Sequence, residues 1–276
     1  PHPGALLTNG ISIKRLKETN LSEYEMVKQI FKFFENSGKL VFMGWNSSQF
    51  DRSICRATFW RSLEKPYLMN TNGNSEADLL HIARASHLYY PGVIKTGTTK
   101  KNNPEFKLTS ISKANNIKHE FKHSAESDTL ATMLTARLIK QKAPALWQSS
   151  FLTTSKNDVL SILKKELMCI TTENYGGGPK GHLVTYISQH PVYGYPLAID
   201  LRHDVDTFLD INTDQLRDLL KSKPKPIRTV KHSAHPIIMN PSYIKNIEPY
   251  NAIGMEKLIE KAKKIGFNNI TIDLIY

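Results

Sequence analysis

The chain has 276 residues, of which 40% are hydrophobic and 22% are charged, enough to bury one large core or two ordinary ones. Its formal net charge is +12 at pH 7, and the first 149 residues hold most of it, with 21 Lys/Arg against 12 Asp/Glu. This charge favours a polyanionic partner, with nucleic acid ahead of an anionic membrane surface.

The two cysteines, Cys55 and Cys169, exclude a disulfide framework and a four-thiolate zinc site, and they fit a reducing compartment. No apolar run approaches the roughly 18 residues of a membrane span, and no signal segment leads the chain. We therefore expect a cytoplasmic protein without a membrane partner. Because the sequence opens at Pro1 and closes on an apolar run, we also expect it to be truncated at both ends.

The first half shows helical periodicity around one short strand. Ser22 and Glu25 form a capping-box pair in front of a helix that Gly38 ends. The apolar run 40–43 predicts a buried strand that closes in a Gly-Trp-Asn turn. Further helices are predicted over residues 49–63, 76–89, 110–114 and 124–141, with a lysine-rich loop over residues 91–107.

The composition changes after Trp147, where apolar runs typical of strands replace helical spacing. These runs cover residues 183–188, 197–201, 226–230 and 236–239, with a glycine-rich turn at 175–181. Short helices are predicted near 214–221 and 255–265. The change predicts a second domain with a mainly β structure.

Residues 119–123 spell His-Glu-Phe-Lys-His, the pattern in which two histidines one helical turn apart bind zinc and the glutamate activates water. Such a site lies in the middle of a helix. Here the pattern follows Asn115 and Asn116 and precedes Ser124, which favour caps and turns over helix interiors. These neighbours weigh against a zinc peptidase without excluding one.

A second constellation combines His123, Asp128 and Asp51. The spacing places His123 on the loop that enters a helix, Asp128 in the first turns of that helix, and Asp51 just after the predicted strand. Two carboxylates that converge at a strand end can bind divalent cations, and a nearby histidine can accept a proton from water. Alternatively, both aspartates are solvated residues that complement helix dipoles, and His123 is a surface histidine.

Several segments in a fixed order resemble the bacterial exonuclease I family. They are residues 3–11, residues 44–51, Asp78-Leu79-Leu80, residues 106–117, and His123 to Asp128. The resemblance is strong over residues 1–150 and weaker to about 265. It implies an α/β fold with an RNase H-like DEDDh exonuclease domain over residues 1–149, incomplete because its first strands are missing. An SH3-like β domain over residues 150–276 would follow.

This family degrades single-stranded DNA from the 3′ end. The resemblance implies that Asp51 and Asp128 are catalytic, metal-binding carboxylates and that His123 is the general base. Asn46, Phe50 and Lys107 would contact the nucleic acid. It further implies two-metal phosphodiester hydrolysis with Mg²⁺, with Mn²⁺ as a substitute. The implied partners are single-stranded DNA and the single-stranded DNA-binding protein.

The sequence departs from the family pattern at the family's first motif, an Asp-x-Glu pair on the first strand. Neither Asp200 nor Asp273 begins such a pair. Because two of the four carboxylates are missing, we expect hydrolysis to be severely reduced or absent. The alternative function is a catalytically silent single-stranded DNA-binding or protein-interaction module.

Overall fold

A computed structural model describes residues 3–18, 21–48, 50–119, 125–208 and 212–265 of the chain. The described residues divide into two compact units. The first unit draws on residues 1–83 and 92–144, and the second on residues 84–91 and 145–276. The RNase H-like and SH3-like domain types, and the predicted boundary between residues 149 and 150, stay predictions.

From residue 3 to residue 142 the chain alternates helices with short strands. The helices are α1 (Pro3–Asn9), α2 (Ile13–Lys17), α3 (Glu23–Asn36), α4 (Asp51–Arg61), α5 (Leu79–Tyr89), α6 (Leu108–Ala114) and α7 (Ala125–Lys142). The strands are β1 (Val41–Gly44), β2 (Ser75–Asp78), β3 (Gly97–Thr98) and β4 (Pro104–Glu105). A 3-10 turn covers Leu68–Asn70.

Helix α3 confirms the capping-box prediction, because the Ser22 hydroxyl accepts the Glu25 N–H and the Glu25 carboxylate accepts the Ser22 N–H. Its apolar face packs in the first unit's core, where Phe31 meets Phe59 of α4 edge to face with ring centroids 5.5 Å apart. Leu68 completes this cluster with an exposure of only 1%. The packing fixes α3 and α4 against each other.

Strands β1 and β2 pair in parallel, with Val41 opposite Ser75 and Gly44 opposite Asp78. The strand predicted after Gly38 is confirmed, but its predicted burial is wrong, since Val41 is 42% exposed and the other three residues are partly exposed. The helix predicted over residues 76–89 begins only at Leu79. The sequence Ser-Glu-Ala-Asp has weak strand propensity, and its strand conformation comes from pairing with β1. The sequence pattern therefore predicts β1 but not β2, the strand that pairs with it.

The rest of the chain builds an antiparallel sheet with flanking helices. The strands are β5 (Cys169–Tyr175), β6 (Gly178–Gln189), β7 (Pro196–Asp200), β8 (Ile227–Thr229) and β9 (Ile238–Met239), in the order β8-β7-β6-β5-β9. The helices are α8 (Pro144–Phe151), α9 (Lys156–Lys165), α10 (Thr213–Lys221), α11 (Tyr250–Ile253) and α12 (Met255–Lys264). Two 3-10 turns cover Asp206–Phe208 and Pro241–Asn246.

The four strands predicted after Trp147 correspond to β6–β9, whereas β5, α8 and α9 were not predicted. Val159 and Leu163 of α9 pack on the sheet beside Cys169 and Val184, all of them buried. Cys169 and Cys55 are free thiols. None of the helices in the described part of the chain is long and apolar enough to cross a lipid bilayer.

A buried charge network crosses the second unit around Asp200, whose side chain is fully buried. The Arg202 Nε–H donates to both carboxylate oxygens at 3.1 and 3.0 Å, and the Arg228 Nε–H donates to Oδ2 at 3.2 Å. Tyr250 adds a hydroxyl donor, and His182 Nδ1 lies 3.3 Å from Oδ2. Burial alone would raise the pKa of Asp200, but the contacts with His182, Tyr250 and Arg202 hold that pKa below its usual range.

We expect Asp200→Asn to lower the free energy of unfolding of the second unit by about 3 kcal/mol, because it removes the charge that compensates the buried guanidinium of Arg228 and the partly buried one of Arg202. A carboxyl with a depressed folded-state pKa stabilises the fold above the pKa of about 4 of the unfolded chain, and this stabilisation is lost as the pH falls below it. Thermal unfolding followed by circular dichroism at several pH values measures both effects.

Asp218→Asn is the matched control, because this aspartate pairs with Lys221 on the surface and its side chain is 77% exposed. It should shift stability by less than about 0.5 kcal/mol. Between neutral pH and about pH 3 the Asp200→Asn variant should lose less stability than the unmodified chain. If the Asp200→Asn variant and the unmodified chain lose the same stability as the pH falls, the Asp200 carboxylate does not stabilise the fold through this network.

Candidate functional site

The carboxyl ends of β1 and β2 lie side by side, because the strands are parallel and Gly44 is opposite Asp78. After Gly44 the chain turns sharply towards α4. Asn46 takes a left-handed backbone conformation with φ +57°, which asparagine tolerates better than most residues. A Cβ at Gly44 would lie 2.6 Å from the Cβ of Ser47, so the turn requires glycine there.

The side chain of Asp78 stabilises this turn by accepting hydrogen bonds. Its side chain is 2% exposed, and Oδ1 accepts the Asn46 N–H at 2.9 Å and the Leu80 N–H at 3.0 Å. The Ser48 hydroxyl donates to Oδ2 at 3.3 Å. One buried carboxylate therefore joins the end of β2, the start of α5 and the turn that leads to α4.

Three of the predicted site residues lie on this turn and the start of α4. Asn46 is exposed, Phe50 is 68% exposed, and Asp51 is the exposed first residue of α4. The carboxylate of Asp51 contributes to raising the pKa of the Cys55 thiol one helical turn later, after burial, which is the largest cause. An amide, an aromatic ring and a carboxylate are thus exposed within the six residues 46–51.

Asp128 lies in the first turn of α7, as the sequence predicts, and is partly exposed. Its Oδ1 is 2.6 Å from Nε2 of His119, whose side chain is only 5% exposed. His123, the predicted general base, lies outside the described residues, as does Glu120. Among the described residues, His119 is the histidine that contacts Asp128, a pairing that sequence reasoning missed.

The same contact bears on the zinc-peptidase alternative. His119 lies between α6 and α7 and outside either helix, whereas a helical zinc motif requires both histidines on one helix face. Its Nε2 is engaged by Asp128. The pattern at residues 119–123 therefore does not have the helical start that zinc peptidases need.

Lys107 precedes α6 with its side chain 75% exposed, and its Nζ lies 3.1 Å from Oε1 of Glu105. The hydroxyl of Ser110 also donates to Glu105. The Ser110 hydrogen bond, followed by the contacts with Lys107, lowers the pKa of Glu105. Because an exposed ion pair contributes little stability, Lys107 can exchange this partner for a phosphate at small cost.

The donor type at this site suits Mg²⁺, which prefers carboxylate oxygens and water. The donor number does not: within the described ranges, no group of three or more His, Cys, Asp or Glu side chains is arranged to hold a metal ion. Asp51 and Asp128 are two carboxylates on separate helices, with Asp128 already paired to His119. The described residues alone do not complete a metal centre.

We expect Asp78→Ala to destabilise the first unit by about 2 to 3 kcal/mol, because it strands the N–H groups of Asn46 and Leu80 that now donate to a buried carboxylate. Hydrogen exchange followed by mass spectrometry should show faster exchange in residues 44–48 and at the start of α5. Asp51→Ala, an exposed neighbour, should change stability by less than about 0.5 kcal/mol. Unchanged exchange in Asp78→Ala would show that this carboxylate does not hold the turn.

Comparisons with known proteins give a consistent result. The chain is 33% identical over 229 residues to Exodeoxyribonuclease I from Haemophilus influenzae, which covers 81% of this chain and 48% of that protein. It is 28% identical over 226 residues to Exodeoxyribonuclease I from Escherichia coli, which covers 80% of this chain and 47% of that protein. The chain thus spans about half the length of the curated relatives it matches. No protein-family model matches it.

Solved structures agree. Escherichia coli exonuclease I in complex with a dT13 oligonucleotide aligns with a TM-score of 0.71 and 24% identity, covering 96% of this chain and 60% of that chain. A complex named ExoI/SSB-Ct aligns with a TM-score of 0.68 and 23% identity over 96% of this chain and 60% of that chain. These alignments show an α/β exonuclease fold. The resemblance of the sequence to the exonuclease I family is therefore confirmed over about 80% of the chain.

Proposed function

We propose that this chain is part of a 3′-5′ exodeoxyribonuclease that acts on single-stranded DNA. The observation that carries the proposal is the exposed set Asn46, Phe50 and Asp51 at the carboxyl ends of β1 and β2, in a chain similar to Exodeoxyribonuclease I. The strand ends of an α/β sheet are where such folds bind ligands. The oligonucleotide in the matched exonuclease I complex supports single-stranded DNA as the substrate.

Each site residue has a proposed role. The exposed ring of Phe50 would stack on a base of the terminal nucleotide, an interaction that tolerates any base. Asn46 would contact the same nucleotide. Lys107 would bind a backbone phosphate. Asp51 and Asp128 would be the catalytic carboxylates of an RNase H-like domain, with His123 as the general base. His119 would orient Asp128 through its Nε2 contact.

The cofactor in this proposal is Mg²⁺, with Mn²⁺ as a substitute, held by Asp51 and Asp128 together with further carboxylates. The sequence contains no Asp-x-Glu pair, and the described residues do not complete a metal centre. Hydrolysis by this chain alone should therefore be weak or absent. These two observations also favour the second candidate function, a module that binds single-stranded DNA or a protein without cleaving.

The second unit would be the SH3-like domain of such an enzyme. Its five-stranded antiparallel sheet, with consecutive strands β5 to β8 as neighbours, supports this proposal. The single-stranded DNA-binding protein would be the protein partner, which the matched ExoI/SSB-Ct complex supports. The net charge of +12 suits a polyanionic substrate.

Incubation of the chain with 5′-labelled single-stranded DNA and Mg²⁺, with an EDTA control, tests this function. Retention and shortening of the DNA are scored together. We expect retention with little or no shortening, and an affinity that falls steeply with salt because bound phosphates release counterions. A 3′-end ladder that EDTA abolishes would overturn the expected loss of hydrolysis while supporting the nuclease. The absence of both signals would overturn the proposed function.

Titration of Mn²⁺, followed by electron paramagnetic resonance, tests the role of Asp128. We expect Asp128→Ala to weaken Mn²⁺ binding at least about tenfold, because it removes one of two carboxylate ligands. Asp158→Ala is the matched control, since Asp158 is likewise in the first turn of a helix, α9. Equal Mn²⁺ affinity in the unmodified chain and in Asp128→Ala would show that Asp128 is not a metal ligand.

A further inference from the structure

Helix α4 carries apolar side chains on two opposite sides. On one side Phe59 is only 3% exposed and packs in the first unit's core, with Cys55 half-buried beside it. On the other side Ile54 is 51% exposed, Trp60 is 71% exposed, and Ala57 is exposed as well. A surface helix normally sets one apolar side against a polar one. The second apolar side of α4 therefore indicates a surface that another molecule covers.

The exposed side chains form one continuous stripe. Residues three or four apart are neighbours on a helix surface, and this spacing joins Ile54 to Ala57 and Ala57 to Trp60. Phe50, one turn before Ile54, extends the stripe at the start of α4 with a ring that is 68% exposed. We refer to Phe50, Ile54, Ala57 and Trp60 as the outer face of α4. It combines a large aromatic side chain at each end with a small one between them, and aromatic residues are enriched at protein interfaces.

The outer face of α4 is complementary to itself. If two copies of the helix lie antiparallel about a two-fold axis midway along their length, Phe50 of each copy lies opposite Trp60 of the other. Ile54 of each copy then lies opposite Ala57 of the other, so that a large side chain meets a small one at the centre. A two-fold contact of this kind makes each of these pairings twice. The small alanine at the centre lets the two helices approach closely.

The charges at the ends of α4 match the same arrangement. The helix begins at Asp51, which is exposed, and ends at Arg61, whose side chain is 65% exposed. In the antiparallel pair Asp51 of each copy lies near Arg61 of the other, whereas a parallel pair would bring like charges together. Arg61 now contacts Glu23 of α3, but both side chains are exposed, so this ion pair contributes little stability and can rearrange at small cost. Charge therefore favours a second copy in the antiparallel orientation.

The size of this surface limits the strength of the contact. The 11 residues of α4 form a helix about 16 Å long, which is too short to bury the roughly 1,200 Å² of a stable complex. The net charge of +12 on each copy also opposes association. The expected dimer is therefore weak and reversible.

We propose that the outer face of α4 is a self-association surface, on which a second copy of this chain binds in the antiparallel orientation. Self-association goes beyond the proposed function and does not depend on it. One consequence does rest on the proposed function: because the dimer covers Phe50, a second copy and a nucleotide stacked on that ring exclude each other. Self-association then closes the candidate site.

Sedimentation velocity of the full chain without DNA, from about 10 µM to about 500 µM, tests the surface. We expect the weight-average sedimentation coefficient to rise with concentration. Ala57→Glu places a charge at the centre of the contact and should keep the chain monomeric over this range. Val192→Glu is the matched control, because it adds the same charge at a 77% exposed position of the second unit and should associate like the unmodified chain. Circular dichroism checks that both variants are folded.

Charge reversal tests the orientation. Arg61→Asp should weaken association about fivefold or more, because it replaces attraction by repulsion at both ends of the contact. Adding Asp51→Arg to the same chain should restore association to within about twofold of the unmodified chain. A loss that the double variant does not recover would overturn the antiparallel pairing. A chain that stays monomeric up to the highest concentration, or an Ala57→Glu variant that associates like the unmodified chain, would overturn the surface itself.

A short oligothymidylate added to the associated chain separates the consequence from the proposed function. If the oligothymidylate binds, the monomer fraction should rise, because its base competes with the second copy for Phe50. Binding without a rise in monomer would overturn the exclusion. A chain that associates but binds no oligothymidylate would overturn the proposed function and leave the self-association surface standing.

Discussion

The parallel pairing of β1 with β2 is the constraint on which the first unit's site depends. The pairing sets Gly44 beside Asp78, and the buried Asp78 carboxylate then receives the N–H groups of Asn46 and Leu80. A buried carboxylate without such donors would be costly, so turn and strand stabilise each other. The turn that Asp78 stabilises leads directly into α4. Its position therefore also sets the positions of the exposed residues Asn46, Phe50 and Asp51.

Local signals made much of the fold predictable. The capping box of α3, the apolar strand between two glycines, and the apolar runs that form β6–β9 are all encoded by neighbouring residues. Strand β2 was missed because Ser-Glu-Ala-Asp acquires its conformation from a partner more than 30 residues away. One local signal was available: an aspartate directly before an apolar helix is a typical N-cap, which marks Asp78 as the start of α5.

The positions of two candidate site residues in the fold were predictable from the sequence, but their contacts were not. The sequence indicated Asp128 in the first turn of a helix and Asp51 after a strand, and both lie there. It did not indicate that His119 would contact Asp128, since the spacing of nine residues fits no helical repeat and His119 lies outside both α6 and α7. From the sequence, Asp200 was considered only because it does not begin an Asp-x-Glu pair, whereas the structure shows this residue at the centre of a buried network.

The carboxylates of this chain divide by burial. Asp78 and Asp200 are almost fully buried and saturated, the first by backbone N–H groups and a hydroxyl, the second by two guanidinium groups and a tyrosine. A carboxylate satisfied in this way has little capacity left for a cation, so neither replaces the ligands missing from the site. Asp51, exposed at a helix start, keeps its oxygens available. Within the described residues, a metal centre of the proposed kind therefore lacks ligands that neither buried carboxylate can supply.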